Sequence, residues 1–372
     1  MTEIPKKSKT AVIVEYGKPL QIREYPIPEV EPRGILVKVE MAGICGSDIH
    51  QWHGRTTMKP PLPNIPGHET IGRIVKLGKG RTHDAAGEPL KIGDRIIWAH
   101  VECGECYWCK ITRQATMCAK RTHYAFRCSD DYPHLMGGFA EYEYVIPMTD
   151  VVKVPEELTD EEVIGVGCAF RTTVAAYERL GGVCIQDDVL IQGAGPIGLY
   201  SLLLAVEGGA RKTIVIGAPK VRLDLARKWG ADYVINIDEI PDPSKRRDQI
   251  LNLTDGRGPD IVVEGSGVAA AFNEGLEMIR KGGRYLVIGQ STEATTTIKP
   301  SMIVSKGLDI FGSFSATIPH FYKALQLIKS KRTKYPFADI VTNKYSLEQA
   351  NDALAGMEAG KEIKPVIDNR GR

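Results

Sequence analysis

Two patterns of apolar residues divide the chain into regions of different predicted structure. The first region carries short valine- and isoleucine-rich runs separated by glycine and proline, at positions 10–14, 34–39, 71–75, 94–98 and 141–146. Short runs bounded by turn residues are typical of β-strands. Residues 10–160 are therefore predicted to form a compact, mostly β domain.

The pattern changes after about residue 165. Strand-like apolar runs at 189–192, 213–216, 233–235, 260–263, 285–288 and 308–311 alternate with segments of helical spacing such as 199–206, 221–229 and 270–279. Nearly continuous apolar strands that alternate with helices predict a six-stranded parallel sheet covered on both faces. The helical pattern at 346–357 and the short strand at 364–367 do not continue this alternation, and we expect them to return to the first domain.

Length and charge restrict the class of protein. The 372 residues exceed what one hydrophobic core usually serves, which predicts two domains. Lysine and arginine number 48 against 46 acidic residues, so the net charge of +2 argues against a nucleic acid or an anionic membrane as partner. The first ten residues lack the apolar segment of a secretory signal, and there is no run of 18 apolar residues. We expect a cytoplasmic protein that does not span a membrane.

A glycine-rich segment follows the first predicted parallel strand and opens a helix. Its G-x-G-x-x-G pattern is the fingerprint of dinucleotide-binding loops, in which the glycines admit a pyrophosphate close to the backbone at a helix N-terminus. A glycine-rich turn without a ligand is the alternative, which the continuing alternation of strands and helices disfavours. The predicted cofactor-binding residues here are Gly193, Gly195, Pro196, Ile197 and Gly198.

The end of the next strand bears on which nicotinamide dinucleotide is bound. NAD-binding sheets usually carry an acidic residue there that binds the ribose hydroxyls, but this strand ends in Gly217. Gly217 removes the charge that would repel a 2′-phosphate, and Lys220 or Arg222 is placed to pair with one. The pattern slightly favours NADP over NAD; the alternative is that these cations are a solvated helix start and that NAD is accepted.

Four closely spaced cysteines predict a structural zinc site. They follow a C-x2-C-x2-C-x8-C pattern at Cys103, Cys106, Cys109 and Cys118. Four thiolates from one short lobe close a tetrahedral zinc site with no open position. Free buried thiols or a disulfide pair are one alternative, but in a large chain without a signal peptide clustered cysteines are more often metal ligands. A nucleic-acid-binding zinc module is another alternative, but the basic surroundings that such a module needs are missing here.

A second group of donors lies earlier in the chain. It combines a thiol, two imidazoles, two carboxylates and a hydroxyl, from Cys45, Ser47, Asp48, His50, His68 and Glu69. A mixed set of this kind suits a catalytic zinc, although each residue taken singly is better explained as structural.

Taken together, these motifs resemble those of the zinc-containing medium-chain dehydrogenase/reductase family, alcohol dehydrogenase type, over nearly the whole length. The shared pieces, in matching order, are residues 45–50, 67–69, the four-cysteine loop, 167–172, the glycine-rich loop and 360–364. The resemblance implies a GroES-like β-rich catalytic domain over residues 1–165, completed by 316–372. It also implies a Rossmann coenzyme-binding domain over 166–315, with the active site in the cleft between the domains.

The resemblance also assigns roles to individual residues. It implies a catalytic zinc held by Cys45, His68 and Cys168, in addition to the structural zinc. Glu69 stands behind the metal in alcohol-dehydrogenase-like relatives and is a ligand in polyol-dehydrogenase-like ones; the cysteine at position 168 favours the former. Asp48 fits a carboxylate that orients His68.

The implied chemistry is hydride transfer between an alcohol, or its ketone or aldehyde, and NAD(P). A catalytic zinc lowers the pKa of a bound alcohol or polarises a carbonyl. Ser47 is implied to contact the substrate oxygen and to pass its proton through the cofactor ribose to His50. Thr172 matches a position beside the nicotinamide, and Lys364 one that contacts the pyrophosphate.

Two departures and two alternatives accompany this interpretation. The last gap of the cysteine loop is eight residues where seven is common, and residues 125–136 look like an insertion near the substrate entrance. The alternatives are a polyol or amino-alcohol dehydrogenase with Glu69 as zinc ligand, and a non-catalytic nucleotide-binding protein on the same fold. Relatives of this type are dimers or tetramers, so we expect a homodimer or homotetramer.

Overall fold

The computed structural model describes residues 4–290 and 292–371. Residues 1–3, which begin the N-terminal segment discussed above, and residues 291 and 372 lie outside this description. The strands are β1 (Lys7–Val12), β2 (Gln21–Pro26), β3 (Ile35–Gly43), β4 (Glu69–Leu77), β5 (Arg95–Trp98), β6 (Tyr142–Val145), β7 (Val151–Lys153), β8 (Asp188–Gln192), β9 (Lys212–Gly217), β10 (Tyr233–Asn236), β11 (Ile261–Glu264), β12 (Arg284–Val287), β13 (Asp309–Gly312), β14 (Val341–Tyr345) and β15 (Lys364–Asp368).

The α-helices are distributed over the whole chain. They are α1 (Gly46–Trp52), α2 (Tyr107–Lys110), α3 (Asp160–Val163), α4 (Ala169–Leu180), α5 (Pro196–Glu207), α6 (Lys220–Lys228), α7 (Pro243–Leu253), α8 (Ala269–Met278), α9 (Pro300–Lys306), α10 (Ile318–Lys331) and α11 (Ala350–Glu358). Short 3₁₀ turns lie at Ala115–Met117, Ile164–Gly167, Phe337–Ile340 and Leu347–Gln349. None of the described helices is both long and apolar enough to cross a lipid bilayer.

Contacts divide the chain into two compact units. The first unit comprises residues 1–171, 316–333 and 337–372, and the second comprises 172–315 and 334–336. In the first unit a seven-stranded sheet has the order β14-β15-β3-β4-β5-β7, with β6 paired to β3, while β1 and β2 form a separate hairpin-like pair. The C-terminal strand β15 pairs antiparallel with β3, so the last part of the chain completes this sheet. A core that includes Val39, Ile44, Phe139 and Leu354 is fully buried beneath it.

The second unit is the predicted parallel sheet. Its six strands have the order β10-β9-β8-β11-β12-β13, and every neighbouring pair is parallel. The chain therefore starts in the middle at β8, builds to one side and then crosses to the other between β10 and β11. A crevice for a ligand opens at such a reversal, at the carboxyl ends of β8 and β11. The predicted two-domain α/β fold class is confirmed.

Candidate active site

The first group of predicted zinc donors is held by a buried carboxylate. Cys45 lies between β3 and α1, and its backbone N–H donates to Asp48 Oδ2 at 2.8 Å. Asp48 is fully buried, and its Oδ1 lies 3.3 Å from His68 Nδ1. Because Asp48 occupies the Nδ1 side of the ring, the Nε2 side of His68 is left to bind a metal.

The structure brings four predicted donors together within the first unit. One donor atom from each of Cys45, His68, Glu69 and Cys168 lies within 4.8 Å of the others. A hydrogen bond with Cys168 lowers the pKa of the Cys45 thiol well below its usual range, although burial opposes it. Burial alone would lower the pKa of His68, but Asp48 and Cys168 raise it well above its usual value. Two thiols, one of them acidified, and one imidazole are a donor set that fits zinc.

A buried ion pair stands behind these donors. Lys364 Nζ donates to Glu69 Oε2 at 2.5 Å, and the two side chains are 1% and 0% exposed. Burial raises the pKa of Glu69 to about 7 even though Lys364 opposes the rise. Glu69 Oε1 is buried and has no hydrogen-bond partner among the described residues. The pyrophosphate role of Lys364 stays a prediction, and its observed partner is the carboxylate beside the metal donors.

The predicted proton-transfer residues share the short helix α1. Ser47 Oγ lies 3.5 Å from His68 Nε2, on the side of the ring that faces the other donors. His50 follows three residues later, which places both side chains on one helix face. Burial lowers the pKa of His50, so its imidazole is neutral at pH 7 and can accept a proton.

The four cysteines of the predicted structural site also converge. One sulfur from each of Cys103, Cys106, Cys109 and Cys118 lies within 4.8 Å of the others. Two of the sulfur pairs are 3.5 Å apart, close to the spacing of about 3.8 Å that tetrahedral Zn–S bonds of 2.3 Å require. The backbone N–H of Cys103 also donates to Cys118 Sγ at 3.4 Å. The lobe therefore fits a closed tetrathiolate zinc site.

In the second unit the glycine-rich loop joins β8 to α5. Gly193 has φ +106°, and a Cβ on it would approach Ser266 Cα to 2.8 Å. A Cβ on Gly198 would lie only 1.8 Å from the Gly193 carbonyl oxygen, whereas Gly195 faces open space. Two glycines thus pack the loop, and the third leaves room for a phosphate at the N-terminus of α5.

The structure adds a steric reason for Gly217. A Cβ at this end of β9 would come within 2.8 Å of Ala194 Cβ in the glycine-rich loop. An acidic side chain is therefore disfavoured by crowding as well as by charge. On α6, Lys220 Nζ lies 2.6 Å from Asp224 and is exposed, while burial lowers the pKa of Arg222. Thr172 is buried on α4.

The segment interpreted as an insertion reaches the metal donors. The centroid of the Phe126 ring lies 6.4 Å from that of His68 and 6.1 Å from that of His123. The backbone between them is anchored, since Tyr124 N–H donates to His100 Nδ1 and Gln51 Nε2 donates to the Ala125 carbonyl. Spacing in the sequence gave no signal for this approach, because it depends on how the loop folds back.

A buried carboxyl also escaped sequence reasoning. Glu143 on β6 is fully buried, and neither of its oxygens has a hydrogen-bond partner among the described residues. Burial raises its pKa to about 8, although Thr70 and His68 oppose the rise. Glu143 is therefore largely protonated at neutral pH. Alternation along the strand Tyr-Glu-Tyr-Val places Glu143 on the face opposite the two tyrosines, which predicts exposure to solvent, so the sequence contained no signal for its burial.

We expect Glu143→Gln to stabilise the protein at neutral pH and to change little at pH 5. The folded pKa lies above the unfolded one, so this side chain loses stability as pH rises from about 4.5 toward 8. Glutamine cannot ionise, and its advantage at pH 7 is on the order of 2–3 kcal/mol. Urea unfolding between pH 5 and pH 8 measures the difference in unfolding free energy between the variant and the native protein. Glu88→Gln, at an exposed position, is the control. A difference that does not vary with pH would contradict it.

Two family models match long parts of the chain. A model of the alcohol dehydrogenase GroES-like domain matches residues 31–156. A model of zinc-binding dehydrogenases matches residues 196–330. The first match lies in the first unit and includes six of the seven predicted zinc ligands as well as Glu69. The second match covers five of the six strands of the parallel sheet, β9 to β13.

Similar proteins match over almost their full lengths. The 5-exo-hydroxycamphor dehydrogenase of Pseudomonas putida is 35% identical over 97% of this chain and 99% of its own. The L-threonine 3-dehydrogenase of Burkholderia thailandensis is 30% identical over 97% of this chain and 98% of its own. The crystal structure of an alcohol dehydrogenase from Thermotoga maritima superposes with a TM-score of 0.90 at 34% identity, covering 97% of this chain and 99% of that one.

Proposed function

The chain belongs to the zinc-containing medium-chain dehydrogenase/reductase family, alcohol dehydrogenase type, and we propose that this oxidoreductase transfers hydride between an alcohol, or its ketone or aldehyde, and NAD(P). The observation that carries the proposal is the convergence of Cys45, His68 and Cys168 around a common point, with Asp48 behind the histidine. The proposed domains are a GroES-like catalytic domain over 1–165 and 316–372 and a Rossmann coenzyme domain over 166–315.

Cys45, His68 and Cys168 are the proposed ligands of a catalytic zinc. When bound there, zinc supplies Lewis acidity that favours loss of a proton from an alcohol or addition of hydride to a carbonyl. Asp48 fixes the His68 tautomer and ring orientation by facing Nδ1. A second zinc, held by Cys103, Cys106, Cys109 and Cys118, has a structural role in this proposal.

Ser47 and His50 are the proposed proton path. The Ser47 hydroxyl lies beside the metal donors. It is placed to accept the proton of the substrate hydroxyl while it donates its own hydroxyl proton onward. His50, half-buried on the same helix face and uncharged at pH 7, is placed to receive that proton and exchange it with solvent. Each group is present in the protonation state that this transfer needs.

The proposed coenzyme site is the glycine-rich loop with Gly193, Gly195, Pro196, Ile197 and Gly198, together with Gly217, Lys220, Arg222, Thr172 and Lys364. We propose a slight preference for NADP, because no carboxylate ends β9 and a side chain at Gly217 would collide with Ala194. Lys220 lies in the first turn of α6, and its partner Asp224 sits one turn later. Lys220 can exchange this exposed ion pair for one with a phosphate at little cost.

We expect a panel of alcohols and carbonyls, followed by nicotinamide absorbance, to give turnover that is somewhat more efficient with NADP than with NAD. Lys220→Ala should raise the KM for NADP about five- to tenfold, since one charge-assisted contact is lost, and leave that for NAD unchanged. Arg227→Ala is the matched control, because Arg227 also pairs with Asp224, at 2.9 Å, but lies two turns along the helix. A clear preference for NAD, unaffected by Lys220→Ala, would contradict the assignment.

A polyol or amino-alcohol dehydrogenase is the second candidate. Glu69 Oε1 is buried without a partner among the described residues, and its carboxylate belongs to the cluster of metal donors. A role for Glu69 as fourth ligand agrees with this geometry. The similarity to an L-threonine 3-dehydrogenase supports an amino alcohol as the substrate. Turnover of amino alcohols or polyols in preference to simple alcohols would decide for this candidate.

We propose that the protein assembles as a homodimer or homotetramer. Strand β13 lies at one edge of the parallel sheet, and apolar side chains around it are exposed: Val304 by 82%, Phe314 by 54% and Ile310 by 37%. An exposed apolar edge strand is a ready surface for pairing with a second copy. Sedimentation equilibrium measures the assembly, and a single chain at micromolar concentration would contradict it.

We propose a reducing compartment, such as the cytoplasm, as the site of action. Both clusters of sulfur donors bind zinc only with their cysteines reduced, and all eight cysteines are free thiols in the structure. We expect the protein to lose zinc when it is exposed to a thiol oxidant and to bind zinc again after it is reduced.

A further inference from the structure

One proposed zinc ligand lies where regular backbone structure is interrupted. Cys168 follows the 3₁₀ turn Ile164–Gly167 and precedes α4, with φ −143° and ψ −72°. At such a break the usual helical hydrogen bonds do not fix the backbone. The carbonyl of Gly167, directly before the ligand, instead accepts a hydrogen bond from Arg171 Nε at 2.7 Å.

Arg171 also binds a distant part of the chain. Its Nη1 donates to the carbonyl of Ala316 at 3.3 Å, and its guanidinium carbon lies 4.7 Å from the ring centroid of Phe321 on α10. Ala316 is where the chain re-enters the first unit, and Arg171 is the residue before it leaves that unit. One buried side chain thus ties the ligand loop to the returning segment.

A second guanidinium group, that of Arg121, also binds the Ala316 carbonyl. Arg121 Nη2 donates to the Ala316 carbonyl at 3.1 Å and lies 3.1 Å from Glu102 Oε1. The side chain of Arg121 is 2% exposed and Arg171 is 3% exposed, so both guanidinium groups that bind the Ala316 carbonyl are buried.

Close packing fixes the other side of the loop. A Cβ on Gly167 would approach Glu69 Cα to 2.8 Å, so the backbone before Cys168 lies directly against the start of β4. The Gly167 peptide is held between this strand and the Arg171 fork. Loss of the fork would free the loop on the side away from β4, and the Cys168 sulfur with it.

From this arrangement, and resting on the proposed function, we infer that Arg171 is a positioning residue for the catalytic zinc. Its guanidinium holds the carbonyl before Cys168 at a fixed distance from the Ala316 carbonyl, and so keeps the Cys168 sulfur in place to bind the metal. Groups that orient metal ligands typically change metal affinity by about 10- to 100-fold when removed.

The test measures zinc binding without substrate or coenzyme. In Arg171→Gln, zinc should leave the Cys45/His68/Cys168 site to a chelator about 10- to 100-fold faster than in the native protein. The rate for the four-cysteine site should not change. In cobalt-substituted protein, the thiolate-to-cobalt absorption should shift or weaken. Arg179→Gln, an identical change at an exposed position of the same helix, is the control.

Two further variants keep the inference falsifiable. Arg171→Lys keeps the charge but lacks the fork, so it should also release zinc faster, even if Arg171→Gln fails to fold. In a Cys168→Ala background, Arg171→Gln should add no further loss of zinc affinity, because the two changes act on one ligand. Native zinc release and a native cobalt spectrum in Arg171→Lys would overturn the inference. Equal acceleration at both zinc sites would also overturn it, since that indicates general destabilisation.

These readouts separate the inference from the proposed function. If no alcohol or carbonyl reacts but Arg171→Lys still releases zinc faster, only the proposed function fails. If turnover on alcohols is found and zinc release is native in Arg171→Lys, only the positioning role fails.

Discussion

His68→Ala is expected to lower kcat by at least about 1,000-fold and to reduce the zinc content from two atoms per chain to one. The imidazole is one of three proposed ligands, and loss of the metal removes several kcal/mol of charge stabilisation at the reacting oxygen. The remaining zinc should be that of the four-cysteine lobe, whose sulfurs all belong to another segment. Elemental analysis and turnover on the best substrate measure the two effects together.

The control for His68→Ala is an exposed histidine in the same unit. His83→Ala should keep both zinc atoms and native turnover, because its side chain is exposed and shares a hydrogen bond with Thr82, which belongs to neither cluster. Cys106→Ser should behave in the opposite way from His68→Ala and lose the other zinc. Two zinc atoms in His68→Ala, or native turnover, would show that the first cluster is not the catalytic metal site.

Lys364→Met is expected to destabilise the protein by about 3–5 kcal/mol, because it leaves the buried carboxylate of Glu69 without its cation. Glu69→Gln should likewise cost stability by leaving the ammonium of Lys364 unpaired. Combining the two substitutions removes both charges, so the double variant should be more stable than the sum of the single losses predicts. Urea unfolding of the four proteins gives the coupling free energy.

The same cycle separates two interpretations of Lys364. If Lys364 serves only a coenzyme pyrophosphate, the single losses add in the double variant and the coupling free energy is near zero. A coupling of 1 kcal/mol or more, which we expect, shows that the contact with Glu69 contributes to folding. The KM for coenzyme, measured on the double variant, then reports the pyrophosphate role separately.

The parallel sheet of the second unit was predictable because its four central strands, β9, β8, β11 and β12, are largely buried. Each of the six runs is nearly all apolar, and all six became strands within a few residues of the predicted positions. The helix α7 was missed, since its sequence Pro-Ser-Lys-Arg-Arg-Asp is polar and only Arg246 and Ile250 are buried. Strand β2 was missed for a similar reason, because four of its six residues are exposed and only Tyr25 is buried.

The donor residues were also predictable: those of the four-cysteine cluster from ligand types at a characteristic spacing, and Cys45, His68 and Cys168 from the resemblance to the dehydrogenase family. The surroundings of those ligands were not. Lys364 meets Glu69 across 295 residues, and Arg171 meets Ala316 across 145. Contacts of this kind depend on which strands pair and where the chain re-enters the first unit, and no local pattern records them. The burial of Glu143 was not predictable either, because alternation with the flanking tyrosines places its carboxyl on the polar face of the strand.

The most direct test of zinc-dependent hydride transfer at Cys45, His68 and Cys168 is removal and restoration of the catalytic zinc, followed by nicotinamide absorbance during alcohol oxidation. We predict that chelation abolishes the formation of reduced coenzyme and that added zinc restores it, while the four-cysteine site stays loaded throughout. The same rate before and after loss of the catalytic zinc would contradict the account.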